Sequence, residues 1–135
     1  MTAAHIYLDS SALAKIVNRE RESGALARRL RGARLVTSAL ARVEVARAAR
    51  RLTTPPRRPI DEVLRTVTVV AIDDDVLLAA AELEPAQLRT LDAIHLATAL
   101  RVEQELDGFI TYDRRLGDAA VRAGLSVEAP ADRAG

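Results

Sequence analysis

The sequence contains no cysteine, which excludes disulfide bonds, thiolate metal sites and cysteine nucleophiles. It also contains no tryptophan, and aromatic residues make up only 2% of the chain. The core must therefore be built from Ala, Leu, Val and Ile side chains. A binding mode that stacks nucleic-acid bases on aromatic rings is disfavoured for the same reason.

Long apolar runs are absent as well. A membrane-spanning helix needs about 20 apolar residues, and every uninterrupted run here is far shorter. Residues 1–5 lack the charged start and the apolar stretch of a signal peptide. We therefore expect a cytoplasmic protein that does not enter membranes. From the length of 135 residues we predict a single domain at residues 1–128 and a flexible C-terminal tail at 129–135.

Arginine is abundant and unevenly distributed, whereas Lys15 is the only lysine. Residues 19–65 carry 13 arginines and 5 acids, although the net charge of the whole chain is only +1. Arg47 and Arg51 follow Glu44 by three and seven positions and so share its helix face. Arginine suits bidentate contacts with phosphate, which makes these two residues candidate contacts to a nucleic-acid backbone. A solvated face, and the codon usage of a GC-rich genome, are the alternative explanations.

Short apolar strands alternate with helices along the chain, a pattern typical of a mainly parallel sheet covered by helices on both faces. Ser10 or Ser11 is expected to cap the first helix. Prolines interrupt the pattern between Pro55 and Pro59, a loop to which we assign no role. We predict strands at 5–8, 34–37, 68–72, 109–112 and 125–127, and helices at 12–18, 22–30, 38–52, from 60, from 73, at 91–106 and at 114–123.

Four acidic residues occupy positions that suggest a metal site. Asp9 and Asp113 each follow a predicted strand, where parallel α/β proteins bind ligands. Glu44 lies in the helix after the second strand, and Asp92 lies in the first turn of the long helix. Converging carboxylates repel one another unless a cation joins them, and oxygen ligands without sulfur favour Mg²⁺ or Mn²⁺. The alternative is that Asp9 and Asp113 only cap helices while the other two are solvated.

Four segments of the chain resemble the motifs of the PIN-domain family, and most of all those of the VapC toxins of bacterial toxin–antitoxin pairs. The segment Leu91–Ala99 is the most specific of the four, and the likeness covers nearly the whole chain. The segments are Tyr7–Leu13, Val43–Val45, Leu91–Ala99 and Ile110–Asp113.

The resemblance implies a three-layer α/β/α sandwich and a Mg²⁺-dependent endoribonuclease in which one or two ions activate water. Asp9 and Asp92 would be the principal metal ligands, and Glu44 and Asp113 would complete the acidic pocket. By the same resemblance Ser11 and Thr111 would orient water or phosphate. Attack on the phosphodiester would leave a 5′-phosphate and a 3′-hydroxyl.

The resemblance also implies a partner, a VapB-like antitoxin that blocks the acidic pocket. We expect its C-terminal segment to lie across the apolar helices between Ala12 and Leu52 and to direct an arginine toward the four acids. Small α/β domains commonly form symmetric dimers, so we also expect a homodimer.

Other functions depend on residues that fit less well. His95 shares a helix face with Asp92, but a di-iron site would need such pairs on other helices, and these are absent, so packing or a hydrogen bond is favoured for His95. A receiver-type signalling module would need an acidic pair near Asp9 and a lysine later than Lys15, and neither is present. A catalytically inactive PIN-like protein that binds RNA or a partner stays open, as does the identity of the RNA.

Overall fold

The computed structural model describes residues 2–133. Its strands are β1 His5–Leu8, β2 Arg34–Ser38, β3 Val67–Val70, β4 Gly108–Ile110 and β5 Val127–Glu128. Its helices are α1 Ser10–Val17, α2 Ser23–Arg29, α3 Leu40–Ala49, α4 Ile60–Arg65, α5 Asp74–Glu82, α6 Thr90–Arg101 and α7 Arg114–Arg122. A 3₁₀ turn at Glu103–Glu105 follows α6.

The five strands form one parallel sheet in the order β3-β2-β1-β4-β5. The chain first builds the sheet from β1 outward to β3, and then crosses to the other side of β1 to add β4 and β5. The order therefore reverses between β1 and β4, and ligands of open α/β sheets bind beyond the strand ends at such a point. This topology places the loops after β1 and β4 side by side.

Alternate residues of β1 face two separate cores, because successive side chains of a strand point to opposite faces. Ile6 and Leu8 pack with the apolar sides of α1 to α4, whereas Tyr7 packs with Phe109 and with α6 and α7. The protein is therefore a three-layer α/β/α sandwich with a parallel central sheet, as predicted.

Several element boundaries and one helix cap differ from those expected. The predicted cap of α1 was wrong: the side chain of Asp9, rather than Ser10 or Ser11, accepts a hydrogen bond of 3.0 Å from the Ala12 amide. The third strand spans Val67–Val70 instead of 68–72, and the Asp73 side chain caps α5 by accepting 3.0 Å from the Val76 amide. The long helix α6 ends at Arg101 instead of continuing to Leu106.

The C-terminal residues contact the rest of the domain. The Tyr112 hydroxyl donates a hydrogen bond of 2.8 Å to the Pro130 carbonyl, and Arg28 forms an ion pair with Asp132. Of the tail expected to be flexible, residues 134 and 135 lie outside the described residues, and its flexibility stays a prediction. Within residues 2–133, no helix has the length and apolar character needed to cross a membrane.

Candidate functional site

A cleft of about 650 Å³ opens at the strand ends where the order of the sheet reverses. All four predicted acids line it, and so do Ser11, both candidate RNA-binding arginines and one arginine that sequence reasoning did not single out. In chain order these residues are Asp9, Ser11, Glu44, Arg47, Arg51, Arg89, Asp92 and Asp113. The crossover from β3 to β4 and the helices on both faces thus bring together residues from distant parts of the chain.

Asp9 is the most deeply placed acid, with only 3% of its surface exposed. Its Oδ1 accepts from the Ser11 hydroxyl at 2.6 Å and from the Ala12 amide at 3.0 Å, and its Oδ2 accepts from the Thr111 hydroxyl at 2.6 Å. Burial raises the pKa of Asp9, and these hydrogen bonds offset part of the rise. The Asp9 carboxylate is therefore held in one orientation at a cost in charge solvation that a nearby cation would reduce.

Ser11 and Thr111 link the loops after β1 and β4. The Ser11 oxygen accepts from the Tyr112 amide at 2.9 Å, and the Thr111 oxygen accepts from the Asp113 amide at 3.0 Å. Both hydroxyl protons are donated to Asp9. The structure thus places the two hydroxyls as supports of a carboxylate, and Thr111, unlike Ser11, does not line the cleft.

Glu44 projects from α3 and is oriented by His95 of α6. The Nε2 of His95 lies 2.5 Å from Oε1 of Glu44, and its Nδ1 lies 2.8 Å from the Tyr7 hydroxyl. Burial raises the pKa of Tyr7 well above its usual value, so the phenol keeps its proton. In the tautomer that carries its proton on Nε2, the imidazole accepts from the Tyr7 hydroxyl and donates to Glu44. Both ring nitrogens therefore have protein partners, which fits the predicted hydrogen-bonding role of His95.

Tyr7 is held in place by its own packing. Its ring is stacked parallel to Phe109 at 5.1 Å between centroids, and the His95 ring meets its edge at 6.0 Å. The series of hydrogen bonds from Tyr7 through His95 to Glu44 therefore connects the core beside the sheet to the wall of the cleft.

Asp92 and Asp113 converge on the guanidinium of Arg89. Nε of Arg89 donates to Oδ2 of Asp92 at 3.0 Å, and Nη2 donates to Oδ2 of Asp113 at 2.7 Å. The other oxygen of Asp113 caps α7 by accepting from the Leu116 amide at 3.0 Å. Burial raises the pKa of Asp92, and Arg89 opposes that rise. Asp113 is thus both a helix cap and a member of the acidic cleft.

The donor chemistry of the cleft fits a hard divalent cation, since four carboxylates and no sulfur line it. Asp92 and Asp113 already turn toward one shared cation, that of Arg89. Across residues 2–133, however, no three side chains of His, Cys, Asp or Glu lie close enough together to form a metal site. Glu44 is hydrogen-bonded to His95, and Asp9 is hydrogen-bonded to two hydroxyls.

Arg47 and Arg51 lie on the α3 side of the cleft, as their spacing from Glu44 predicts. Both are exposed, and neither forms an ion pair with another of the described residues 2–133. Their charge is therefore available to a phosphate backbone that enters the cleft.

Comparison with known proteins agrees with the sequence motifs. The family model of the PIN domain matches residues 6–122. Ribonuclease VapC46 of Mycobacterium tuberculosis is 48% identical over 128 residues, which cover 94% of this chain and 98% of the relative. Ribonuclease VapC35 of the same species is 41% identical over 130 residues, which cover 93% and 96% of the two chains.

Two solved structures share the fold. A chain of a toxin–antitoxin complex from Klebsiella pneumoniae superposes with a TM-score of 0.69 at 22% identity, covering 97% of this chain and 99% of its own. Mycobacterium tuberculosis VapC20, described as a toxin that cleaves the sarcin–ricin loop, has a TM-score of 0.65 at 18% identity and covers 89% of this chain and 95% of its own.

Proposed function

The chain belongs to the PIN-domain family, and we propose that it is a metal-dependent endoribonuclease acting as the toxin of a toxin–antitoxin pair. The observation that carries the proposal is the single cleft lined by all four acids of the family pattern, in a chain that is 48% identical to a ribonuclease over almost its full length. We place its action in the cytoplasm, where its RNA substrate is found. Membership of this family overturns the receiver-type alternative.

Asp9, Glu44, Asp92 and Asp113 would hold Mg²⁺ or Mn²⁺ in this cleft. A metal bound there would lower the pKa of water and would compensate the negative charge that develops on the phosphate. Asp9 contributes a carboxylate whose orientation Ser11 and Thr111 already determine.

Glu44 is aimed in the same way by His95. Hydrogen-bonded supports of this kind are a regular feature of metal sites, because they fix the direction in which a ligand points. The arginines on the α3 side would bind the RNA backbone without reading its bases.

Removal of divalent metal is expected to abolish cleavage. Purified protein incubated with RNA should cut it in Mg²⁺ or Mn²⁺, stop when EDTA is added, and recover when metal is returned in excess. Mapping the new ends should find 5′-phosphates and 3′-hydroxyls. Full activity in EDTA would contradict the metal mechanism. The absence of cleavage under every condition, by a protein that still binds RNA, would favour the inactive PIN-like alternative.

The double replacement of Arg47 and Arg51 by Ala is expected to weaken RNA binding and to flatten its dependence on salt. Each lost phosphate contact lowers the salt slope by about 1, because one fewer counterion is released. Replacing Arg114 and Arg115 by Ala removes equal charge from exposed positions that do not line the cleft and serves as the control. If both double variants keep the salt slope of the unmodified protein, the abundance of arginine is better explained by the codon usage of a GC-rich genome.

We propose that a VapB-like antitoxin covers the cleft, because an unrestrained ribonuclease would degrade the RNA of its own cell. An apolar groove of about 130 Å³ adjoins the cleft between α1 and α3 and shares Ala14, Val45 and Ala48 with its wall. A segment lying in that groove would deliver a basic side chain to the acids nearby. Co-purification with a small partner that suppresses cleavage is the direct measurement.

The homodimer stays a prediction. Exposed leucines on α5, Leu77 at 47% and Leu78 at 68%, provide apolar surface of the kind that such an interface would bury. Light scattering on the purified chain gives the oligomeric state.

A further inference from the structure

Arg89 stands out among the residues of the cleft because it is a cation placed among acids. It precedes α6 as the residue at its N-terminal boundary, in an extended conformation with φ −62° and ψ 146°. Its side chain is 65% exposed, whereas those of Asp92 and Asp113 are only 14% and 27% exposed. The guanidinium therefore approaches two partly buried carboxylates from the solvent side.

Arg89 contacts one oxygen of each carboxylate. It binds Oδ2 of Asp113, whereas Oδ1 of Asp113 accepts from the Leu116 amide in the first turn of α7. It binds Oδ2 of Asp92 through a different nitrogen, so that one guanidinium joins two carboxylates and is not paired with a single one. A cation that binds these two oxygens would have to share them with the guanidinium or displace it.

The contacts of Arg89 with the two carboxylates do not fix its side chain in that position. The side chain is largely exposed, and an exposed ion pair contributes little to stability. A guanidinium released from the two carboxylates would lie on the rim of the same cleft, where it could form a bidentate contact with a phosphate. Its single charge would compete poorly with a divalent cation for two carboxylates.

We infer that Arg89 exchanges partners during the reaction cycle. It neutralises Asp92 and Asp113 as an internal counter-ion, yields them to the divalent cation, and then binds a phosphate of the RNA. The inference rests on the proposed nuclease function. Under this inference Arg89 both raises the metal concentration that the enzyme needs and contributes to RNA affinity once metal is bound.

The test compares Arg89→Gln with Arg101→Gln as a matched control. Arg101 belongs to the same helix and likewise joins two carboxylates, those of Asp73 and Asp75, but it does not line the cleft. Mn²⁺ binding is measured by calorimetry without RNA. We expect Arg89→Gln to bind Mn²⁺ about 3- to 10-fold more tightly, as expected for the loss of one competing ion pair near the surface. Arg101→Gln should bind it as the unmodified protein does.

The second measurement is RNA cleavage at saturating Mn²⁺. Arg89→Gln should raise KM for RNA and reduce the salt dependence of kcat/KM by about 1 in slope, as for any lost phosphate contact. Unchanged or weaker Mn²⁺ binding, or an unchanged KM, would contradict the exchange of partners. If the unmodified protein binds Mn²⁺ and cleaves RNA while Arg89→Gln behaves identically, only this inference fails. If the unmodified protein binds no Mn²⁺ at all, the metal mechanism fails first.

Discussion

The Asp92→Asn protein is expected to lose at least about 100-fold in RNA cleavage while remaining folded. Asparagine matches aspartate in shape but carries no charge, so a divalent cation loses a ligand on which it depends. Replacing even the groups that support metal ligands typically costs about 10- to 100-fold. The fold should persist because Asp92 lies in the first turn of α6 and its only side-chain hydrogen bond among residues 2–133 is the one from Arg89. Cleavage rate and thermal melting, measured on the same preparation, check both statements.

Asp75→Asn is the matched control for this substitution. Asp75 also lies in the first turn of a helix, α5, and also pairs with an arginine, Arg101 at 3.2 Å, but it lies outside the cleft. It should leave cleavage unchanged within about twofold, since surface changes away from functional groups have small effects. On expression in cells, growth inhibition should disappear with Asp92→Asn and persist with Asp75→Asn. Undiminished toxicity of Asp92→Asn at equal protein levels would remove Asp92 from the site.

His95→Leu is expected to affect both stability and activity. The Tyr7 hydroxyl is buried, and leaving it without its imidazole partner should lower the free energy of unfolding by about 1–3 kcal/mol. Glu44 would lose the donor that orients it, and the loss of such a support lowers metal affinity or activity by about 10- to 100-fold. Denaturant titration and cleavage assays well below the melting transition measure the two effects separately.

His95→Gln distinguishes orientation of Glu44 from core packing. The glutamine amide reaches the position of Nε2 and can donate to Glu44, although it leaves the Tyr7 hydroxyl without its partner. We expect His95→Gln to recover much of the activity that His95→Leu loses while remaining destabilised. Equal losses of activity in the two variants at temperatures where both are folded would mean that His95 acts only through packing.

Local patterns in the sequence were sufficient to predict the sandwich. The alternation of apolar strands with helices indicated a parallel sheet covered on both faces. Strand β1 agrees with this, since its alternate side chains pack into two different cores. The errors lie at element ends. The α1 cap was assigned to a serine although the preceding Asp9 accepts the amide, and α6 was extended beyond Arg101 because its apolar spacing continues to Leu106. The apolar periodicity of a sequence does not indicate at which residue the backbone hydrogen bonding of a helix ends.

Asp9, Asp92 and Asp113 were found from their places after strands and at a helix start, because strand ends and helix N-termini are local properties. Glu44 lies within a helix, and motif resemblance was needed to single it out. Arg89 was missed. Its only local signal was a spacing of three residues before Asp92, which is common on any helix. Its contact with Asp113 spans 24 positions, and no local pattern reports such a contact.

By itself the sequence determined which residues carry negative charge, their order along the chain and the parallel sheet whose strand ends they follow. Only the tertiary structure decided what each acid touches. Asp9 is bound by Thr111, 102 positions away, and Glu44 by His95, 51 positions away. Such pairings depend on the strand order, which places β4 beside β1, and on the packing of α6 against α3 across the sheet edge. Side-chain partners at these separations are set by the relative placement of whole elements, whereas propensity and periodicity act within a single element.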